Sequence, residues 1–169
     1  MRLVPAPVFV YDAGMLIAVA GRDRHAMAHH RKILKSGGHR PIITGAVLAH
    51  VWRTDPKTVW TLSELLKDCT VFRAADSQPA APEAVGLCLP CNAGFTMADF
   101  RKAGDMCGTA ILPPKKRPDV VDALVVMTAL KHGYAIILTS DPQDIAAYRD
   151  TLHAEERRRV AILPVASLA

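Results

Sequence analysis

Five aspartates stand where a carboxylate could do chemistry. Asp12 follows the apolar run Val8-Phe9-Val10-Tyr11, Asp141 comes just after the apolar run 135–138, Asp119 and Asp122 open a long apolar stretch, and Asp144 lies three residues past Asp141. If the two runs are neighbouring strands, their ends lie within about 5 to 10 Å of each other, because adjacent strands are about 4.8 Å apart. Carboxylates that converge raise one another's pKa unless a cation neutralises them, so the set calls for a hard divalent ion with oxygen ligands, Mg²⁺ or Mn²⁺. Held with open positions, such an ion orients a water and stabilises charge developing on a phosphodiester. Capping is the competing role. Asp119 with Asp122, and Asp141-Pro142-Gln143-Asp144, both have the composition of helix starts. Asp12 interrupts an apolar strand-to-helix junction and is the hardest to assign to a cap alone.

The elements that must position these acids follow from the hydrophobic pattern. Residues 8–11 read as a strand, and 15–20 as the helix after it. Residues 23–35 carry Ala26, Met27, Ile33 and Leu34 at helical spacing, and Gly37-Gly38 ends them. A strand over 41–44 leads through Gly45 into a helix over 46–53, which repeats the first unit. Asp55-Pro56 starts a helix through Leu66, and 70–72 resume strand character. Residues 74–94 hold three prolines and no sustained period, so they read as a loop or insertion. Thr96-Met97-Ala98-Asp99 is a capping box for a helix to about Thr109, and residues 113–118 are a rigid basic linker. Then come a helix over 119–130, a strand over 135–138, a helix from Asp141 to about Leu152 and a last strand over 160–165. Strands written as near-continuous apolar runs and alternating with helices predict an α/β fold: a mostly parallel five-stranded sheet with helices on both faces, binding ligands beyond the carboxyl ends of its strands.

With 169 residues the chain fits one domain, and its composition of 50% hydrophobic and 22% charged residues excludes a disordered or fibrous chain. Twelve of the 16 acids are Asp, the short, stiff acid of caps and metal sites. The net charge of +5 is local. Arg22, Arg24, Arg31, Lys32, Lys35 and Arg40 face only Asp23, whereas the rest of the chain is balanced. The helix bearing Arg24, His25, His29, His30, Arg31, Lys32 and Lys35 could track a phosphate backbone, and Lys115, Lys116 and Arg117 stand just ahead of the acids. The start of the chain imitates a signal peptide, but Asp12 interrupts its apolar run, and no stretch reaches the roughly 18 apolar residues of a membrane helix. Four cysteines in a chain able to build its own core point to a reducing cytoplasm rather than a disulfide framework. Cys88-Leu-Pro-Cys91 has the gap of a zinc knuckle, but no second pair follows, and Cys69 and Cys107 are unmatched. His132 and His153 carry no specific expectation. Trp52, Trp60, Leu62, Leu65 and Leu66 are candidates for core or for the face of a homodimer.

Taken in order, Val10-Tyr11-Asp12-Ala13-Gly14-Met15-Leu16-Ile17-Ala18, residues 43–53 ending His50-Val51-Trp52-Arg53, Asp119-Val-Val-Asp122-Ala123 and Leu138-Thr139-Ser140-Asp141-Pro142-Gln143-Asp144 resemble the PIN-domain ribonucleases, in particular the VapC-like toxins of toxin–antitoxin pairs. The resemblance covers nearly the whole of residues 1–169 as one domain, apart from the suspected insertion at 74–94. It implies a three-layer α/β/α sandwich and a metal-dependent endoribonuclease that attacks RNA in line and leaves a 5′-phosphate. It further implies a site in which Asp12, Asp122 and Asp141 hold Mg²⁺ or Mn²⁺, with Asp119 and Asp144 accessory. The partners it implies are an RNA substrate and a cognate antitoxin received by the first helices. The family's usual acid before Val-Trp-Arg is His50 here. As a neutral imidazole ligand, His50 would shift the preference toward Mn²⁺ or another transition metal. The alternative is a catalytically decayed module that binds RNA or a protein partner.

Overall fold

The computed structural model describes residues 6–36, 38–74, 76–78 and 88–168. Five strands form one sheet in the order β3-β2-β1-β4-β5, and every neighbouring pair is parallel. The strands are β1 (Val8–Tyr11), β2 (Ile42–Ile43), β3 (Thr70–Val71), β4 (Ala135–Thr139) and β5 (Val160–Pro164). β1, β4 and β5 are near-continuous apolar runs broken only by Thr139 at the end of β4, the pattern of strands in a sheet covered on both faces. Val10, Tyr11, Ile137 and Leu138 are fully buried at the centre of the sheet.

The helices are α1 (Ala13–Ala20), α2 (Arg24–Lys35), α3 (Gly45–Val51), α4 (Pro56–Leu66), α5 (Leu89–Ala93), α6 (Met97–Thr109), α7 (Val120–Lys131), α8 (Pro142–Arg149) and α9 (Ala154–Arg157). The right-handed rule for parallel crossovers predicts the helices between β1 and β3 on one face and those flanking β4 and β5 on the other, with α3 reaching α7 as well as α1. The packing agrees: α1 lies against α2, α3 and α4, and α7 lies against α6 and α8. The expected three-layer α/β/α sandwich is therefore present, with a sheet that is wholly parallel. α7 is apolar nearly all round because it is enclosed by β1, β4, β5 and its neighbouring helices.

Most element boundaries fall where caps and periodicity put them. Asp55 accepts from the Thr58 N–H at the start of α4, and Thr96 and Asp99 form the reciprocal capping box of α6. Three differences are local. β2 and β3 are two residues long rather than four and three. The helix expected to run to Leu152 ends at Arg149, and the short α9 precedes β5. The suspected insertion lies partly outside the described residues, but its described end is ordered as α5, with Cys88 at the N-cap and Pro90 in the first turn.

Candidate functional site

Strand order reverses between β1 and β4. One connection leaves toward β2 and the other toward β5, and this opens the crevice in which parallel α/β sheets bind ligands. Tyr11 pairs with Leu138 in the register, so Asp12 and Asp141 emerge side by side beyond the carboxyl ends of the two strands. α7 runs back toward the opposite rim of the sheet and therefore starts here, bringing Asp119 and Asp122; the first turn of α8 brings Asp144. The sequence placed all five acids at one locus, and the fold brings them to it.

Each acid is held differently. Asp12 is buried, caps α1 by accepting the Met15 N–H at 2.8 Å, and anchors its own N–H on the Leu138 carbonyl at 3.1 Å. Burial pushes its carboxyl above the usual aspartate range, and the nearby Asp141 adds to this, while the Thr139 hydroxyl and the Met15 N–H oppose the rise. Asp119 caps α7 through the Val121 N–H at 2.8 Å, and its own N–H donates to the buried Tyr148 hydroxyl at 2.6 Å. Asp122 is pushed up to about 7, first by burial and then by the charges of Asp119, Asp12, Asp144 and Asp141. Asp141 stands at the N-cap of α8 but makes no side-chain cap bond, so the capping role open to it in the sequence is not the one it plays. Its N–H donates instead to Thr139 Oγ1 at 2.9 Å. Thr139, fully buried at the end of β4, thus joins two of the acids. Asp144 is only 7% exposed and leaves one carboxylate oxygen buried without a hydrogen-bond partner.

Positive charge meets this cluster from the basic linker. A turn through Lys115, in the left-handed region at φ 69°, presents Lys116 to Asp141 at 2.9 Å and to Asp144 at 2.8 Å. These two acids, Asp144 first, hold the ammonium above its ordinary pKa. Lys115 and Arg117 are exposed beside it. A cavity of about 320 Å³ runs along the carboxyl ends of β2 and β3, lined by Thr44, Arg73, Phe95, Phe100 and Leu124. An arginine with aromatic rings suits a nucleobase, and this combination was invisible in the sequence, where Arg73 and the two Phe are more than 20 residues apart.

The remaining expectations are placed as follows. His50 is exposed in the last turn of α3, in a groove it shares with Ile17, Gly21, Arg53, Lys57 and Thr61 and with none of the five aspartates. Arg24, Arg31 and Lys32 are exposed on α2. Two histidines of that basic helix do not belong to its outer face. His30 is 2% exposed, with Nδ1 on the Tyr11 hydroxyl at 2.9 Å and Nε2 at 3.5 Å from Asp68, and burial lowers its pKa. His29 is half-buried, edge-on to Phe9. Leu62 and Leu65 are core, whereas Trp52 and Trp60 are exposed.

Among the described residues, no three of the five aspartates stand at metal-ligand spacing; the group that does is a second cluster elsewhere in the fold. One ligand atom each from His39, Cys88, Cys91 and His132 lies within 4.8 Å of all the others. The CxxC motif was the signal, but its histidine partners are scattered: His39 comes before β2, and His132 is the C-cap of α7.

Fold and acidic site together define a doubly wound α/β domain with a carboxylate cluster at its switch point. No protein-family model matches the chain, and no curated protein sequence matches it. Among the described residues, no helix is long and apolar enough to cross a membrane.

Proposed function

We propose that the chain is a metal-dependent endoribonuclease of the PIN-domain type, acting as the toxin of a toxin–antitoxin pair. The observation that carries the reading is Asp122, a carboxyl raised to about 7 by burial and by four other aspartates at the sheet's switch point. Such a cluster is costly unless a cation occupies it. The donors fit a hard ion: all are oxygens, and the free buried oxygen of Asp144 faces no protein partner. Asp12, Asp122 and Asp141 would hold Mg²⁺ or Mn²⁺, with Asp119 and Asp144 accessory. A cation there supplies orientation of a water and stabilisation of charge on a phosphodiester.

The chain's own residues prepare that site. The Thr139 hydroxyl oxygen accepts the Asp141 N–H and the hydroxyl favours the charged form of Asp12, while Lys116 offsets the charge of Asp141 and Asp144. Lys115 and Arg117 offer charge to the RNA phosphates, and Arg73, Phe95 and Phe100 offer a surface on which a base can stack. The α1–α4 face, with Ile17 and Trp60 exposed, is the surface we assign to the antitoxin or to a second copy of the chain. The free thiols fit a cytoplasmic setting.

Purified protein is expected to cleave RNA with Mn²⁺ or Mg²⁺, to stop in EDTA, and to lose at least about 100-fold in rate as Asp12→Asn. Equal cleavage by Asp12→Asn and wild type would refute the assignment. The Lys116 contacts favour one rival, a non-catalytic module in which a lysine replaces the cation. Calorimetry showing no binding of Mn²⁺ or Mg²⁺ at millimolar concentration, with RNA affinity unchanged in Asp141→Asn, would establish that module instead.

A further inference from the structure

We infer that His39, Cys88, Cys91 and His132 form a structural zinc site at the rim of the sheet opposite the acidic cluster. The inference is independent of the ribonuclease reading. A tetrahedral ion bound to two thiolates and two imidazoles, with Zn–S near 2.3 Å and Zn–N near 2.0 to 2.1 Å, places its ligand atoms about 3.3 to 3.8 Å apart. The four ligand atoms lie within 4.8 Å of one another, and Cys91 Sγ is 3.3 Å from His132 Nε2. Only small side-chain movements separate this arrangement from coordination.

The imidazoles are oriented for a metal. His132 Nδ1 donates to the Thr128 carbonyl at 2.6 Å, and His39 Nδ1 donates to the Arg40 carbonyl at 2.7 Å. A ring nitrogen that faces a carbonyl must carry the proton, so in both neutral rings the lone pair sits on Nε2, which is the nitrogen aimed into the cluster. His39 Nε2 is buried and has no hydrogen-bond partner. Phe72 stands edge-on to the His132 ring at 5.9 Å and packs on Phe95 at 4.7 Å, giving the cluster a dry aromatic wall.

Ligand chemistry selects the ion. Two sulfurs and two imidazole nitrogens favour Zn²⁺ and disfavour the hard ions suited to the aspartates. All four positions come from protein, which is the pattern of a closed structural site rather than of one that keeps a place for water. The segments it joins need joining. β2 and β3 contribute two residues each to the sheet, and the site ties the approach to β2, the start of α5 and the end of α7 to one point. A Cys88–Cys91 disulfide is the competing fate of the thiols, and it would leave two Nε2 lone pairs facing sulfur without a proton or an ion between them.

The test uses the full chain purified in a thiol reductant. After dialysis against a weak chelator, elemental mass spectrometry is expected to find one zinc per chain. Replacement by Co²⁺ is expected to give the visible bands of a tetrahedral ion and a thiolate charge-transfer band. Cys88 is only partly buried, at the margin of the core, so the near-isosteric Cys88→Ser is a mild change; with His39→Gln it is expected to abolish stoichiometric zinc while circular dichroism stays native-like. A strong chelator is expected to lower the wild-type Tm by roughly 10 °C and to leave the double variant unmoved. A reduced wild-type chain that holds no zinc would overturn the inference, as would equal zinc content in the double variant. RNA cleavage assayed in Mg²⁺ on the same samples reports separately on the acidic site.

Discussion

Asp122 makes the acidic cluster measurable without an RNA substrate. Its carboxyl rises from 3.8 to about 7 in the fold. The folded chain then binds a proton more tightly than the unfolded chain does, so this group's contribution is fully present below the unfolded value and is lost as pH rises from about 4 to about 7. At 1.36 kcal/mol per pH unit the ceiling is about 4 kcal/mol. The carboxyl retains some contact with solvent, which brings the expectation to about 2 kcal/mol. Asp12, also raised, acts in the same direction; His30, lowered by burial, gains stability for the fold as pH rises and opposes both. The informative quantity is therefore a difference. Urea unfolding of wild type and Asp122→Asn in EDTA, at pH values from about 4 to 8, is expected to show wild type losing about 2 kcal/mol relative to the variant across that window. Millimolar Mn²⁺ is expected to remove most of that relative loss, because the cation neutralises the charge that burial penalises. Parallel stability profiles for the two chains in EDTA would refute the electrostatic account of the cluster.

Three further outcomes follow from other contacts. A Cβ on Gly14 would stand 1.8 Å from Ser140 Oγ and 2.9 Å from the Ser140 backbone nitrogen, so Gly14→Ala is expected to cost about 1–3 kcal/mol in urea unfolding. Ser140→Gly in the same chain should recover only part of that loss, since the backbone contact remains. Tyr11→Phe removes the partner of His30 Nδ1 and is expected to cost about 1–2 kcal/mol by the same measurement, with the α2 face intact by circular dichroism. Replacing Lys115 and Arg117 with Ala is expected to weaken RNA binding and to lower the slope of log K against log salt by about 1 to 2, whereas an unchanged slope would remove the linker from the RNA path.

Sheet membership was legible because its signals are local. Residues 8–11 and 135–139 are apolar runs without helical period, and the parallel class follows from their being buried on both faces. The acids could be placed at one locus because the end of a strand is a position in space as well as in sequence. What stayed hidden depends on pairs distant along the chain. Asp141 looked like a cap, and only its missing cap bond and its tie to Thr139 tell the roles apart. His30 sits among basic residues, yet the helix turns it onto Tyr11. His39 and His132 flank a CxxC motif in space while lying about 40 to 50 residues from it in sequence, beyond any motif spacing.

The pairing of β1 with β4 also dictates the order in which this chain can become itself. Val8 to Tyr11 leave the ribosome well before their partners Ala135 to Leu138, which come more than 120 residues later in the chain. Contacts of such separation are made late and slowly, because the loop entropy of the whole intervening chain must be met before the ladder repays it. Until then the central strand has only the two residues of β2 beside it, and Asp12 has neither Thr139 nor Asp122 near it. The acidic crevice is thus a property of the finished polypeptide, and a nascent or truncated chain lacking β4 carries none of its chemistry.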